Sequence, residues 1–273
     1  MVEASMGDRY VPNDVHLAHD AQRAMVITGP NMGGKSSLIR QTALIVLMAQ
    51  VGSFVPARRA RLSVVDAIYT RMGARDAISQ GKSTFLIEMQ EASLILQRAT
   101  ARSLVIMDEL GRGTSTHDGT ALAFATLREL VEGVRCLALF VTHYHLLCRL
   151  AQALPGKVGS FHVGFLAGEG DRVTFLYKLQ PGPANRSFGM NVALMAGLPE
   201  PLVQRAREQA VGMEAAVLRR AETLRADLAS RLKVAAASGQ TQALAQLQGE
   251  ARRLLELRGA KPRTGDEGAR QHQ

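Results

Sequence analysis

The sequence predicts an α/β domain with a parallel-rich central sheet, followed by a helical C-terminal part. Three observations carry this. Short apolar runs alternate with longer stretches of helical periodicity through the first two thirds of the chain. A glycine-rich loop, Gly29-Pro-Asn-Met-Gly-Gly-Lys35-Ser36, separates the first of those runs from the first helix. Beyond Pro181-Gly182-Pro183 the strand signals stop and Ala, Leu and Arg dominate.

The elements follow in chain order. Apolar runs predict strands at Met25–Thr28, Leu62–Val65, Leu104–Met107 and Leu137–Val141. Helical spacing is expected over Ser37–Gln50, Phe85–Ala99, Gly119–Glu132 and Tyr144–Ala151. The segment Gly73 to Ser83 is too polar and flexible for a core and reads as a functional loop. Two β runs, Gly159–Leu166 and Val173–Leu179, flank Ala-Gly-Glu-Gly-Asp as a hairpin. Short helices are expected around Phe188–Ala196 and Pro201–Ala210, with Pro201 suited to a first helical turn. The sequence then predicts helix as far as Arg258, interrupted near Ser238-Gly239, and a polar disordered tail from Gly259. The expected division is 1–182, 183–211, 212–258 and 259–273.

The bulk properties narrow the class. At 273 residues and 47% hydrophobic content, the chain can bury a proper core. No stretch is long and apolar enough to span a bilayer, and Met1 to Tyr10 lacks the layout of a secretory signal. Cys136 and Cys148 have neither C-x-x-C nor zinc-ligand spacing, so both read as core thiols in a reducing compartment. Of the net charge of +9, more than half lies in residues 201–273, which hold thirteen Lys/Arg against eight Asp/Glu. A nucleic-acid partner and a solvated Arg-rich helix explain that excess equally well.

The loop at Gly29–Ser36 carries the strongest chemical signal. It fits G-x-x-x-x-G-K-[ST] in the strand–loop–helix context that the pattern requires. Such a loop turns its backbone N–H groups toward phosphate, with the following helix dipole in support. The phosphate-binding candidates are Gly29, Asn31, Met32, Gly33, Gly34, Lys35, Ser36 and Ser37. Lys35 is expected to reach the β- and γ-phosphates of ATP, and the Ser36 hydroxyl to join a Mg²⁺ shell. A second element, Leu104-Val-Ile-Met-Asp108-Glu109, sends two carboxylates out of a buried strand. Asp108 is the expected metal ligand, because Mg²⁺ takes hard oxygen donors. Glu109 is the expected catalytic residue, orienting the attacking water. Leu110-Gly-Arg-Gly-Thr-Ser-Thr-His-Asp118-Gly119 reads as a loop responsive to nucleotide state, with Ser115, Thr116 or Asp118 able to cap the next helix. His143 follows the next strand on the same sheet edge and is a second catalytic candidate.

Five ordered blocks resemble the MutS family of DNA mismatch-repair ATPases: GPNMGGKS, STFLIEM, LVIMDELGRGTSTHDG, FVTHY and SFGMNVALMAGLP. The resemblance runs from about Tyr10 to Ala210. YVPND, VGSFHVGFL and VTFLYKL are most similar to the third eukaryotic branch, whose members act on insertion–deletion loops as the large partner of a heterodimer. The resemblance implies a P-loop NTPase fold of ABC type, ATP and Mg²⁺ as ligands, and head-to-tail pairing with another MutS-homologue subunit. It implies that Tyr10 stacks on adenine with Val11 beside it. Asn31 then touches the γ-phosphate, Ser83 reaches the partner's nucleotide, and His143 acts as a switch. It also implies a dimerisation helix pair at Ser187–Ala210 and a nuclear location.

Family members carry mismatch-reading, connector, lever and clamp regions ahead of the ATPase. Only 24 residues precede Met25, so the expectation is a fragment or short form that meets mismatched or looped DNA only through such missing regions. The 4% aromatic content, without Trp, offers no conspicuous DNA platform. Two other readings stand beside this one. A transporter ATPase subunit is disfavoured, because STFLIEM stands where an LSGGQ-type signature belongs. A weakly active dimerisation fragment rests only on those missing regions.

Overall fold

A computed structural model gives the fold and describes residues 2–73, 83–167, 173–184, 189–238 and 247. The chain divides into two compact units, Met1–Leu198 and Pro199–Gln273. The strands of the first unit are β1 (Ala24–Thr28), β2 (Ile68–Arg71), β3 (Leu104–Asp108), β4 (Leu137–Val141), β5 (Val158–Ala167) and β6 (Val173–Pro181). They form one sheet in the order β2-β3-β4-β1-β5-β6. All neighbours are parallel except β5 and β6, which pair antiparallel as the expected hairpin. The helices are α1 (Val2–Met6), α2 (Lys35–Gln50), α3 (Thr84–Arg98), α4 (Thr116–Glu129), α5 (Arg149–Ala153) and α6 (Gly189–Met195), with α7 (Glu200–Ala237) in the second unit. The architecture is mixed α/β with a parallel-rich sheet.

Strand alternation builds the core on both faces of that sheet. Val26, Val105, Met107 and Phe140 point to one side, where they meet Ala92 and Ile95 of α3 and Ala123 and Leu127 of α4. Met25, Ile27, Ile106 and Leu139 point to the other, against Leu38 and Ile39 of α2. Both faces are covered, so β1 and β3 are buried at every position and read as continuous apolar runs rather than alternating ones. Each fully buried large aliphatic or aromatic side chain contributes about 1.5–3 kcal/mol. The parallel register sets Asp108 opposite Val141, and Val141 opposite Ile27, so β1, β3 and β4 end together at one edge.

The strand expected at Leu62–Val65 is absent; that stretch is irregular, and Ile68–Arg71 takes the edge position beside β3. Val65 is buried, but Leu62 and Val64 are exposed. Asp66 then ties the chain down by accepting hydrogen bonds from Thr100 and Ser103. Ile68-Tyr69-Thr70 are better β-formers than the apolar run Leu62–Val65, and they take the strand position. Helix α4 begins three residues before the expected Gly119, because the Ser115 hydroxyl caps it by accepting from the Asp118 N–H at 3.2 Å. The helix expected over Tyr144–Ala151 is a 3₁₀ turn, His145–Cys148, followed by α5. Helix α7 runs 38 residues through position 211 without a break and ends at Ala237, next to the expected interruption. Most of the expected Gly73–Ser83 loop, the start of the helix at Phe188, and the tail from Gly259 lie outside the described residues.

Candidate functional site

The shared edge of β1, β3 and β4 gathers the candidates from three separate stretches of sequence. Leaving β1, the chain turns through Gly29 at φ 131°, Met32 at φ 67° and Gly34 at φ 89° before α2 starts. Glycine is required at position 29 on two counts. Its φ lies in the left-handed half, and a Cβ there would stand 3.3 Å from the Val163 backbone nitrogen. The Lys35 ammonium folds back into the loop and donates to the carbonyls of Gly29 and Pro30, both at 2.8 Å. Lys35 is only 4% exposed. Burial pushes its pKa down to about 8, against the opposing pull of the Glu109 and Asp108 carboxylates.

Asp108 ends β3, and the Ser36 hydroxyl donates to its Oδ2 at 2.8 Å. Ser36 lies in the first turn of α2, which follows β1, and β1 and β3 are separated in the sheet by β4. The other oxygen, Oδ1, is buried without a hydrogen-bond partner. Burial raises the Asp108 pKa, with the Ser36 hydrogen bond acting against it. A carboxylate oxygen of this kind and an adjacent hydroxyl are hard donors suited to Mg²⁺. Among the described residues no group of three or more His, Cys, Asp or Glu side chains stands ready to hold a metal. An ion held by Ser36 and Asp108 here would complete its shell with water and the oxygens of a phosphate ligand.

Glu109 takes φ 60°, an uncommon conformation for a residue with a Cβ. Its N–H is held by the Val141 carbonyl at 2.9 Å. The resulting bend turns its side chain to His143, whose Nε2 lies 2.8 Å from Oε1, and to Arg112, whose Nη1 lies 2.6 Å from Oε2. Asn31 joins the same cluster, with Oδ1 3.0 Å from His143 Nε2. Burial pushes the Glu109 pKa up, but the His143 hydrogen bond and the Arg112 charge outweigh it and hold the carboxyl below its ordinary range. A cleft of about 210 Å³ lies between the Asn31–Ser37 segment and Glu109.

Tyr10 and Val11 lie on the strap that leads toward β1. The Tyr10 hydroxyl donates to Gln41 Oε1 of α2 at 2.5 Å, and Val11 is half-buried. Asn13 fastens the strap to β6, donating to the Tyr177 carbonyl at 2.7 Å and accepting from the Leu179 N–H at 2.7 Å. Ser37 is exposed beside the cleft. Ser83 stands at the N-cap position of α3, exposed and outside the cleft lining. The structure thus brings Asn31, Lys35, Ser36, Asp108, Glu109 and His143 together and leaves Ser83 apart.

Sequence reasoning missed Tyr177 and Arg112. Tyr177 has φ 53°, and its ring stands 3.6 Å from where a Gly34 Cβ would lie. Its only sequence signal was an aromatic residue inside VTFLYKL. Arg112 was visible in LGRGT, but its pairing with Glu109 depends on the positive φ of Glu109 itself.

Residues 25–214 match the family described as MutS domain V. The chain is 55% identical over 221 residues to the DNA mismatch repair protein Msh3 of Dictyostelium discoideum, covering 78% of this chain and 16% of that protein. It is 51% identical over 224 residues to the DNA mismatch repair protein msh3 of Aspergillus fumigatus, covering 81% and 20%. It is 50% identical over 232 residues to the DNA mismatch repair protein MSH3 of Arabidopsis thaliana, covering 82% and 22%. The chain spans about one fifth of the length of these relatives.

Proposed function

We propose, from the premise that this chain belongs to the MutS family and is close to Msh3 proteins, that it is the ATP-binding and ATP-hydrolysing part of a DNA mismatch-repair protein. One observation carries the reading. The Ser36 hydroxyl meets the Asp108 carboxylate at 2.8 Å, with Oδ1 of that carboxylate buried and unpartnered, next to a lysine folded into a glycine-rich loop. Those are the polar groups a magnesium–triphosphate needs, collected from the start of α2 and the end of β3; with the parallel-rich sheet they support a P-loop NTPase fold of ABC type.

The residues take distinct parts. Backbone N–H groups of the loop and the start of α2 bind phosphate oxygens. Lys35 would exchange its two carbonyl partners for the β- and γ-phosphates, and Ser36 and Asp108 would hold Mg²⁺. When bound, that ion supplies charge neutralisation across the phosphates. Glu109 orients the attacking water from a carboxylate kept ionised by His143 and Arg112. Asn31 and His143 report whether a γ-phosphate is present. Tyr10, with Val11 on the strap that Asn13 ties to β6, and Tyr177, whose ring lies beside Gly34, offer flat apolar surfaces for the adenine.

In this reading the chain works in a heterodimer with another MutS-homologue subunit, with Ser83 completing the partner's site, and within the nucleus. Mismatched or looped DNA is met through the parts of longer family members that these residues do not include. Calorimetry with ATP and Mg²⁺, on the parent and on Lys35→Ala, tests the proposal. Binding that requires Lys35, with hydrolysis lost in Glu109→Gln, is expected. No heat with the parent, or turnover indifferent to Lys35→Ala, would refute it.

A further inference from the structure

The buried carboxylate of Glu88 does not line the phosphate cleft and has no part in the chemistry above. It is 4% exposed. Its Oε1 accepts a hydrogen bond from the Gly111 N–H at 2.7 Å and stands 3.4 Å from Nη2 of Arg71, which is itself 5% exposed. Arg71 also pairs with Glu91, one turn along α3, at 3.1 Å. The other side of Gly111 is held as well, because the Tyr144 hydroxyl donates to its carbonyl at 2.9 Å. Gly111 has φ 97°, and a Cβ on it would lie 2.5 Å from the Gly119 carbonyl oxygen. Both hydrogen-bonding groups of this residue are therefore held, and its backbone packs directly against Gly119.

Gly111 lies two residues after Glu109 and directly before Arg112, the residue that pairs with the Glu109 carboxylate. A non-glycine residue at φ 60° persists only where its surroundings over-determine it. The Val141 carbonyl fixes the N-terminal side of that bend, and the Glu88 clamp fixes the C-terminal side. A second contact ties α3 to the same loop, since a Cβ on Gly113 would lie 2.8 Å from the Cβ of Phe85. Phe85 and Glu88 both belong to the first half of the helix that starts immediately after Ser83.

We propose that Glu88 is a positioning residue for Glu109. It clamps the Gly111 peptide so that the Glu109 carboxylate faces the cleft, and it ties that orientation to the placement of α3. Movement of α3 at its Ser83 end is thereby passed to the catalytic carboxylate of the same subunit. The inference rests on the hydrolytic role proposed for Glu109, but the clamp has a readout that needs no nucleotide.

Two measurements on the full chain test it. By NMR, the Gly111 amide is expected to be shielded from hydrogen exchange in the parent and in Glu88→Gln, whose amide oxygen still accepts. In Glu88→Ala its exchange should speed up about tenfold or more. In ATP turnover, Glu88→Ala should lower kcat about tenfold or more with nucleotide affinity within about threefold, and Glu88→Gln should recover part of the loss. Glu88→Ala added to Glu109→Gln should cost nothing further, because the two act as one unit. Tyr144→Phe loosens the other side of Gly111, at its carbonyl, without stranding a buried charge, so it carries the test should Glu88→Ala fail to fold. It should lower kcat severalfold and also add nothing to Glu109→Gln. A Gly111 amide unmoved in Glu88→Ala, or additive losses with Glu109→Gln, would overturn the inference. A parent without ATPase activity would overturn the proposed function instead, and the exchange result would then stand for the clamp alone.

Discussion

His143 Nε2 lies 2.8 Å from Oε1 of Glu109, and its other close neighbour is Asn31 Oδ1 at 3.0 Å. Both neighbours are acceptor oxygens, so this nitrogen carries the proton. The imidazole holds the carboxylate in place from just beyond the end of β4. Replacing His143 by Ala is expected to lower ATP turnover about 100-fold, the scale of a lost orienting or proton-transferring group. ATP affinity should change by less than about threefold. Steady-state hydrolysis beside calorimetry decides it, and equal loss of affinity and turnover would contradict the assignment.

Lys35 makes binding pH-dependent. In the free protein its amine has a pKa of about 8, lowered by burial. A bound triphosphate stabilises the charged form, so the amine takes up a proton on binding wherever the pH is near or above 8. Affinity is expected to weaken as pH rises through 8 toward 10, with net proton uptake at pH 8.5 seen by calorimetry in buffers of different ionisation enthalpy. The stability of the free chain runs the other way. Between about 8 and the ordinary lysine value of 10.5 the unfolded chain binds more protons at this residue, so its contribution to stability rises with pH. Lys35→Met should abolish both effects.

Asp108 poses a trade between stability and function. Its folded pKa is raised, so its contribution to stability is lost as pH rises from the ordinary carboxylate value through the folded one. At neutral pH the buried carboxylate is therefore a cost to the ligand-free fold. Asp108→Asn is expected to stabilise the free chain by about 1 kcal/mol, the scale of a relieved buried polar group. The same change should abolish the Mg²⁺ dependence of tight ATP binding. Thermal unfolding without ligand and a Mg²⁺ titration with it are the two measurements. A lowered melting temperature together with an unchanged titration would refute the metal role.

Tyr177 tests the adenine wall. Loss of a stacking aromatic costs about 1–3 kcal/mol per base. Tyr177→Ala should weaken ATP and ADP alike while leaving inorganic triphosphate binding unaffected. An equal effect on triphosphate would show that the ring supports only the loop at Gly34.

Ser83 separates the single chain from the pair. Ser83→Ala should leave ATP affinity of the isolated chain intact and lower turnover in the dimer about tenfold, as expected for a group used only in the transition state. Identical activity of the parent and variant dimers would remove the shared site.

Local chemistry made much of this protein legible before any coordinates. Gly29, Gly34 and Lys35 announce their loop because few other residues tolerate its backbone or carry its charge. The buried runs Met25–Thr28 and Leu104–Met107 announce central strands because both faces are covered. Ser115 announces a cap, although Thr116 and Asp118 beside it could serve as well. Other features had no local signature. Ile68–Arg71 became the edge strand because Asp66 is anchored by Thr100 and Ser103, more than thirty residues away in sequence. The placement of Tyr177 against Gly34, the pairing of Arg112 with Glu109 and the burial of Glu88 against Gly111 are likewise contacts between segments. A chain can state which groups it carries and how its backbone bends nearby. Which carboxylate faces phosphate and which is spent on holding a peptide is decided only when strands and helices pack, because burial and hydrogen-bond partners are properties of the assembled fold.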